Sequence, residues 1–285
     1  MISTVQTEAS PWRERNLANG SLRNLDLRAA DFTSSVLSSA DFRGSNLETA
    51  ILAQSELAGA LLSGCNLRQA KLEGANLTGA KLVRSVLAAA DFTAANLSAA
   101  LLLEAVLDEA NLTCASLMKC TAAAARFSGA VLTGADLRMA DLSRCQFANA
   151  QLGTAGFERA ALTGCKMVGV SAIRANFDYA DLTSAVLSGC DFEHASFVGA
   201  ALNGAQAIEC SFKDADFYWA ELDGFQHYDC DFTGARWPEE VKIAYGPRGL
   251  TPPKVTPVPL YRKAATEEER KKLLEAYFEI ADDKR

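Results

Sequence analysis

The chain has 285 residues, a formal net charge of -7, 49% hydrophobic and 22% charged residues, enough for one or two domains. The acidic balance argues against a general binder of nucleic acid or anionic membrane, which needs a basic excess. Two histidines, His194 and His227, leave little material for histidine catalysis or a His-rich metal site. No apolar run is long enough for a transmembrane helix, and residues 1–16 lack the apolar core of a secretory signal, so a cytoplasmic protein is expected.

Residues 1–14 read as an N-terminal segment and cap, with Pro11 and Trp12 just ahead of a long periodic region over 15–237. From Leu17 to Phe232 every fifth residue follows one rule: of 44 positions, 39 are Leu or Phe. The other five are Ala122, Met167, Ala172, Ala207 and His227. Two residues before each sits a small side chain, Ala, Ser, Cys or Gly in 40 of 44 cases, with Arg15, Leu25, Val170 and Phe225 departing. An α-helix advances about 500° in five residues and would scatter the leucines over every face. A flat strand would alternate their side. The period works if the chain turns a corner every five residues and each short segment points one large and one small side chain inward.

Units such as Ala30-Asp31-Phe32, Ala40-Asp41-Phe42, Ala75-Asn76-Leu77, Ala110-Asn111-Leu112, Ala135-Asp136-Leu137 and Ala180-Asp181-Leu182 resemble the pentapeptide repeat family, whose consensus is A-(D/N)-L-x-x. The resemblance covers residues 17–236. It implies an all-β fold, a right-handed quadrilateral parallel β-helix with 20 residues per coil and about 11 coils, roughly 53 Å long at about 4.8 Å per coil. A spacing of 20 then stacks Phe157, Phe177, Phe197 and Phe217 in one column and Phe192, Phe212 and Phe232 in another. A solenoid must close its two exposed ends. Trp12 and Trp237 fall in phase with the leucine series and are expected as aromatic lids, and all seven prolines lie outside the repeat.

Residues 238–265 are rich in proline and read as an extended linker. Thr266 and Glu269 form a capping box, predicting a C-terminal helix within 266–285, from about 267 to 281. Its apolar residues Leu273, Leu274, Tyr277, Phe278 and Ile280 gather on one face. A helix this short needs a docking surface: the solenoid end, a second copy, or a foreign partner. The chain is therefore expected as a monomer or a tail-mediated homodimer.

Of eight cysteines, seven (Cys65, Cys120, Cys145, Cys165, Cys190, Cys210 and Cys230) take the small inward position and Cys114 does not. Inward thiols act as small hydrophobes, kept reduced in a cytosol-like compartment, and no C-x-x-C spacing suggests a metal. His194 is outward; His227 is inward, stacked against the small Ala207. Glycines fall mostly two residues after the leucine, where a corner needs permissive backbone. No nucleophile elbow, phosphate-binding glycine loop or carboxylate pair is present, so no enzyme and no cofactor is expected.

Charge is uneven. Residues 17–175 carry 13 acidic and 14 basic side chains, while 176–236 carry 11 acids against Lys213 and Arg236 alone. Asp181, Asp191, Asp216, Glu221 and Asp231 hold the consensus Asp/Asn position, where the family bonds the corner backbone. Asp178, Glu193, Glu209, Asp214, Asp223 and Asp229 have no such duty. Outward Tyr179, Tyr218, Trp219 and Tyr228 lie among them. Exposed Tyr and Trp dominate binding hot spots, so the candidate partner-binding residues are Tyr179, Asp214, Tyr218, Trp219, Asp223, Tyr228 and Asp229; the rival reading packs the C-terminal tail over them. The candidates for helix docking or dimerisation are Leu273, Leu274, Tyr277 and Phe278. The favoured function is a scaffold that binds a protein, with no direct contact to nucleic acid and no membrane insertion. The alternative, implied by the resemblance, is a DNA mimic that binds type II topoisomerase (gyrase); the near-neutral first half and the lack of loop insertions count against it.

Overall fold

The computed structural model describes residues 12–238. Every ladder pair joins residues twenty apart in parallel, from Asn16↔Val36 to Asp216↔Arg236, so the chain returns to the same place after four five-residue segments. That is the four-sided coil. The rungs are ordinary parallel-sheet bonds: Leu17 N donates to Val36 O at 2.8 Å, and Val36 N to Arg15 O at 2.8 Å. Most segments touch the next coil through a single bridge. One side widens into a parallel sheet of four short strands, β1 (Lys166–Val168), β2 (Val186–Ser188), β3 (Gln206–Ile208) and β4 (Gln226–Tyr228), in sequence order.

Corners are β-turns in which the N–H of the small residue returns to the carbonyl of the inward residue, as from Ala30 to Leu27 at 3.1 Å. The third residue of each turn is left-handed. From Glu14 to Gly234 every corner has positive φ, and most of these positions hold residues other than glycine, such as Ala99 (φ 56), Arg159 (φ 59) and Trp219 (φ 61). The glycine corners expected from the sequence are therefore a minority. A non-glycine residue there costs about 1–2 kcal/mol, and the repeated ladder and turn bonds on both sides hold it. Corners are also fixed from the side: the carboxylate of Asp181 accepts the Thr183 N–H at 2.9 Å, and Asn176 Oδ1 accepts that of Asp178 at 2.8 Å. These Asx turns explain the consensus Asp/Asn, whose short side chain reaches the N–H two residues on.

The core is a tightly filled, largely apolar tube. Inward leucines and phenylalanines from Phe32 to Phe217 are fully buried, as are the alanines and cysteines that face them. Phe157, Phe177, Phe197 and Phe217 stack at 4.8–5.0 Å with nearly parallel planes, and Phe192, Phe212 and Phe232 stack at 5.0–5.1 Å. The two columns meet edge to face, Phe177 against Phe192 at 5.9 Å, the arrangement the ring quadrupole favours. Trp12 packs on Phe32 at 5.6 Å, and Trp237 stacks on Phe217 at 5.0 Å, so both tryptophans take the in-phase end positions.

Candidate functional site

Twenty-residue stacking assigns each outward residue to a corner. Passing once round the last full coil, the corners carry Lys213 and Asp214, then Tyr218 and Trp219, then Asp223 and Gly224, then Tyr228 and Asp229. Tyr179 and Gly199 stack below Trp219, at the same corner of earlier coils. The seven candidate residues thus do not form one patch. Tyr179, Tyr218 and Trp219 share a corner; Asp214 is on the corner before it and Asp223 on the corner after it. Tyr228 and Asp229 lie at the diagonally opposite corner. The acids form a ring around the end of the solenoid, and three of the four outward aromatic side chains are concentrated at one point of it.

That aromatic corner has a defined geometry. Tyr179 is 54% and Trp219 63% exposed, while Tyr218 is half-buried. Tyr218 and Trp219 stack at 4.5 Å. The Arg236 guanidinium lies 4.1 Å from the centre of the Tyr218 ring, and its Nη1 reaches Asp216 at 3.1 Å. Asp216 in turn accepts the Tyr218 N–H at 2.9 Å. A Cβ added to Gly199 would fall 2.6 Å from Cε1 of Tyr179, so the tyrosine ring lies across the bare glycine of the next coil.

Both cations of the C-terminal coils are already paired, Lys213 with Asp231 at 3.5 Å and Arg236 with Asp216 at 3.1 Å. Two acids depart from their expected parts. Asp178 has a structural duty after all: its Oδ1 accepts the Val198 N–H at 3.1 Å and bonds Ser196 in the next coil. Glu221 does not make the Asx bond. Asn203 Oδ1 takes the Asp223 N–H at 3.0 Å, and Glu221 instead accepts from Asn203 Nδ2 at 2.9 Å; its extra methylene displaces the carboxylate from the short Asx reach. Burial raises the Asp181 carboxyl, but bonds from Thr183 and Thr163 outweigh it and hold it below the ordinary range. His194 sits between Glu193 at 3.5 Å and Asp214 at 4.0 Å.

The inward cysteines are core side chains. Cys65 and Cys145 donate to the carbonyls of Phe42 and Ala122 at 3.0 and 2.9 Å, and burial pushes the Cys120 and Cys165 thiols up to about 12. His227 pairs in register with Ala207 and meets Phe232 edge to face at 5.1 Å; Phe225, at a position usually small, is buried. Among the described residues no group of three His, Cys, Asp or Glu is placed to hold a metal ion, and no helix is long and apolar enough to cross a membrane. The expected linker, the helix and its face Leu273, Leu274, Tyr277 and Phe278 lie outside the described residues. Two features of the aromatic corner escaped the sequence reading, the Arg236–Tyr218 contact and the Tyr179–Gly199 fit. Both follow from residues 18 to 20 apart once the coil is closed.

Eight copies of the pentapeptide repeat match the chain, over residues 16–48, 50–88, 85–121, 125–155, 155–193 and 185–224. No curated protein matches the sequence. Among solved structures, the chain is similar to HetL of the cyanobacterium Nostoc sp. strain PCC 7120, a pentapeptide repeat protein involved in heterocyst differentiation regulation. Identity is 27%, over 81% of this chain and 92% of that one, with a TM-score of 0.30. QnrB1, a plasmid-mediated fluoroquinolone resistance protein, is 19% identical over 73% of this chain and 93% of its own, with a TM-score of 0.26. A pentapeptide repeat protein of the Arabidopsis thaliana thylakoid lumen is 31% identical over 40% of this chain and 66% of its own, with a TM-score of 0.20. Matched by the repeat over most of its length and laddered at twenty-residue intervals, the chain belongs to the pentapeptide repeat family.

Proposed function

We propose that the protein is a non-enzymatic scaffold that binds a protein partner through its C-terminal coils, with the tail helix as a second point of attachment. The observation that carries this is the asymmetry of the rod. Residues 176–236 hold 11 acids and two bases, both bases are ion-paired, and the same coils expose Tyr179 and Trp219 on one corner. About eleven coils, roughly 53 Å at 4.8 Å each, present this end on a support built from a continuous core. A rigid surface of exposed aromatics amid charge needs little ordering on binding.

DNA mimicry of the kind that engages a type II topoisomerase would call for negative charge along the whole rod. Residues 17–175, with 13 acids and 14 bases, do not supply it, so the localised reading is preferred. Affinity capture from the source lysate separates the two, comparing the full chain with an Asp214→Lys, Asp223→Lys, Asp229→Lys variant. A partner lost on charge reversal supports the scaffold, and topoisomerase subunits as that partner support mimicry. An identical set of captured proteins from both chains contradicts a C-terminal contact.

A further inference from the structure

Three inward cysteines stand directly above one another near the C-terminal end. Cys190, Cys210 and Cys230 are twenty residues apart. The rungs from Ser211 N–H to Cys190 O and from Asp231 N–H to Cys210 O, both 2.9 Å, hold them in register. Neighbouring Cα atoms are therefore about 4.8 Å apart, inside the roughly 4.4–6.8 Å that a disulfide spans. Cys230 Sγ lies 3.4 Å from the Tyr228 carbonyl of its own coil and 3.5 Å from the Ala207 carbonyl of the coil below. It leans toward the coil of Cys210, and the thiols interact along the row.

Access separates this row from the other stacked pair. Cys145 and Cys165 have the same spacing but are fully buried, with coils on either side. Cys190 and Cys210 are 2% exposed, whereas Cys230 is half-buried in a coil that, among the described residues, is laddered to a neighbour on one side only. That coil has the freedom to make the approach of about 1 Å that brings stacked Cβ atoms to disulfide distance. Bonding to Cys190 pushes the Cys210 thiol up to about 12, and bonding to Cys210 together with burial pushes Cys230 up as well. Thiols held neutral attack slowly, so the pair suits a slow, reversible lock and not a fast sensor.

We propose that Cys210 and Cys230 are a redox modification site that takes a low-molecular-weight disulfide as oxidant and closes into a bridge between the last two described coils. The Cys230 thiolate attacks one sulfur of the small disulfide; that S–S bond breaks, and the leaving thiolate takes up the proton that Cys230 has lost. The Cys210 thiolate then attacks the Cys230 sulfur of the mixed disulfide, and the second small thiolate leaves and is protonated in the same way. Two cysteine thiols are oxidised and one small disulfide is reduced to two thiols. The loop so closed, residues 211–229, contains Tyr218, Trp219 and Asp223, so the bridge fastens the coil that carries the aromatic corner. A disulfide acts chiefly by limiting the open state, which here is the fraying of an end coil. In a reducing compartment the pair stays as thiols.

The site is tested on the full chain carrying Cys114→Ala, incubated under native conditions with oxidised glutathione and read by intact mass and by mapping of unreduced peptides. This parent is expected to lose two hydrogens slowly, to yield a peptide linked through Cys210 and Cys230, and to revert with dithiothreitol. Once bridged, its C-terminal rungs, Phe212 N–H to Asp231 O among them, should exchange at least about tenfold more slowly. Added to the parent, Cys210→Ala should keep a glutathione adduct on Cys230, and Cys230→Ala should take up none. Alanine is the usual residue at such positions, so both variants keep the packed core. Cys145 and Cys165 should remain thiols. No reaction, a persistent adduct on Cys230 of the parent with no bridge, a bridge formed only in denaturant, a bridge at Cys145–Cys165, or exchange unchanged by the bridge would overturn the proposal.

Discussion

Trp237 stacks on Phe217 with ring centres 5.0 Å apart and planes 10° from parallel, continuing the phenylalanine column by one more ring. In a solenoid each coil contacts only its neighbours, so what covers the last coil governs how readily that end opens. Trp237→Ala removes the ring and leaves Phe217 and Phe232 with a void, a loss of about 3–5 kcal/mol for a buried aromatic. The expected result in hydrogen exchange is faster loss of protection at the C-terminal rungs, such as Phe217 N–H to Arg236 O, with the Leu97 N–H to Ser116 O rung unchanged.

Phe197 is the centre of the aromatic core. It stacks on Phe177 and Phe217 at 5.0 Å and meets Phe192 and Phe212 edge to face. Phe197→Ala is expected to cost about 3–5 kcal/mol, and Phe197→Leu, which keeps most of the volume, distinctly less. A Phe197→Leu variant with the parent's denaturation midpoint would mean that the stacking contributes nothing beyond filled space.

Acid should loosen the rod within a defined window. Bonds from the Arg43 guanidinium hold the Asp41 carboxyl at about 2, against an ordinary 3.8, and Asp136 is held down by Arg138 in the same way. A carboxyl whose folded value is depressed stabilises the fold above its unfolded value and loses that contribution as pH falls toward its folded one. The melting temperature should therefore be insensitive to these groups from pH 7 to about 5 and fall between about 4 and 2. Asp41→Asn should flatten part of that fall.

Thiol chemistry should single out one residue. Cys114 is the exposed cysteine, and Cys65, Cys120, Cys145, Cys165, Cys190 and Cys210 are buried; burial holds thiols such as Cys120 and Cys165 neutral near pH 7. A thiol reagent applied to the native chain should modify Cys114 first, half-buried Cys230 more slowly, and the rest only on unfolding. Rapid native labelling of Cys145 would contradict the packed interior.

The interior was largely legible in the amino-acid order, because one inward residue every five, with nothing inserted, determines both the corner period and the stacked columns. Phe177 over Phe157 and Trp237 over Phe217 follow from a spacing of 20 alone. The corners were less legible. Left-handed backbone at Arg159 or Trp219 has no signature in residue type, since the surrounding ladder imposes it against local preference. Glu221 matches the consensus position by charge, yet one methylene decides that it bonds Asn203 and leaves the Asp223 N–H to Asn203 as well. The candidate surface was half legible: acids and aromatics are close in sequence, but five residues move a side chain a quarter turn round the rod. Asp214, Trp219, Asp223 and Asp229 therefore face four directions. The pairing of Tyr179 with Gly199 depends on how a ring lies, which no spacing reveals.

The aromatic corner of the C-terminal coils is the proposed partner contact. Its most direct test is quantitative affinity capture from the source lysate by the full chain and by a Tyr179→Ser, Trp219→Ser variant, with Met139→Ser, on the same corner further down the rod and 50% exposed, as the control. A specific partner is expected to be retained by the parent and by Met139→Ser and lost from the double variant, at unchanged melting temperature. Equal recovery of that partner by all three chains would contradict it.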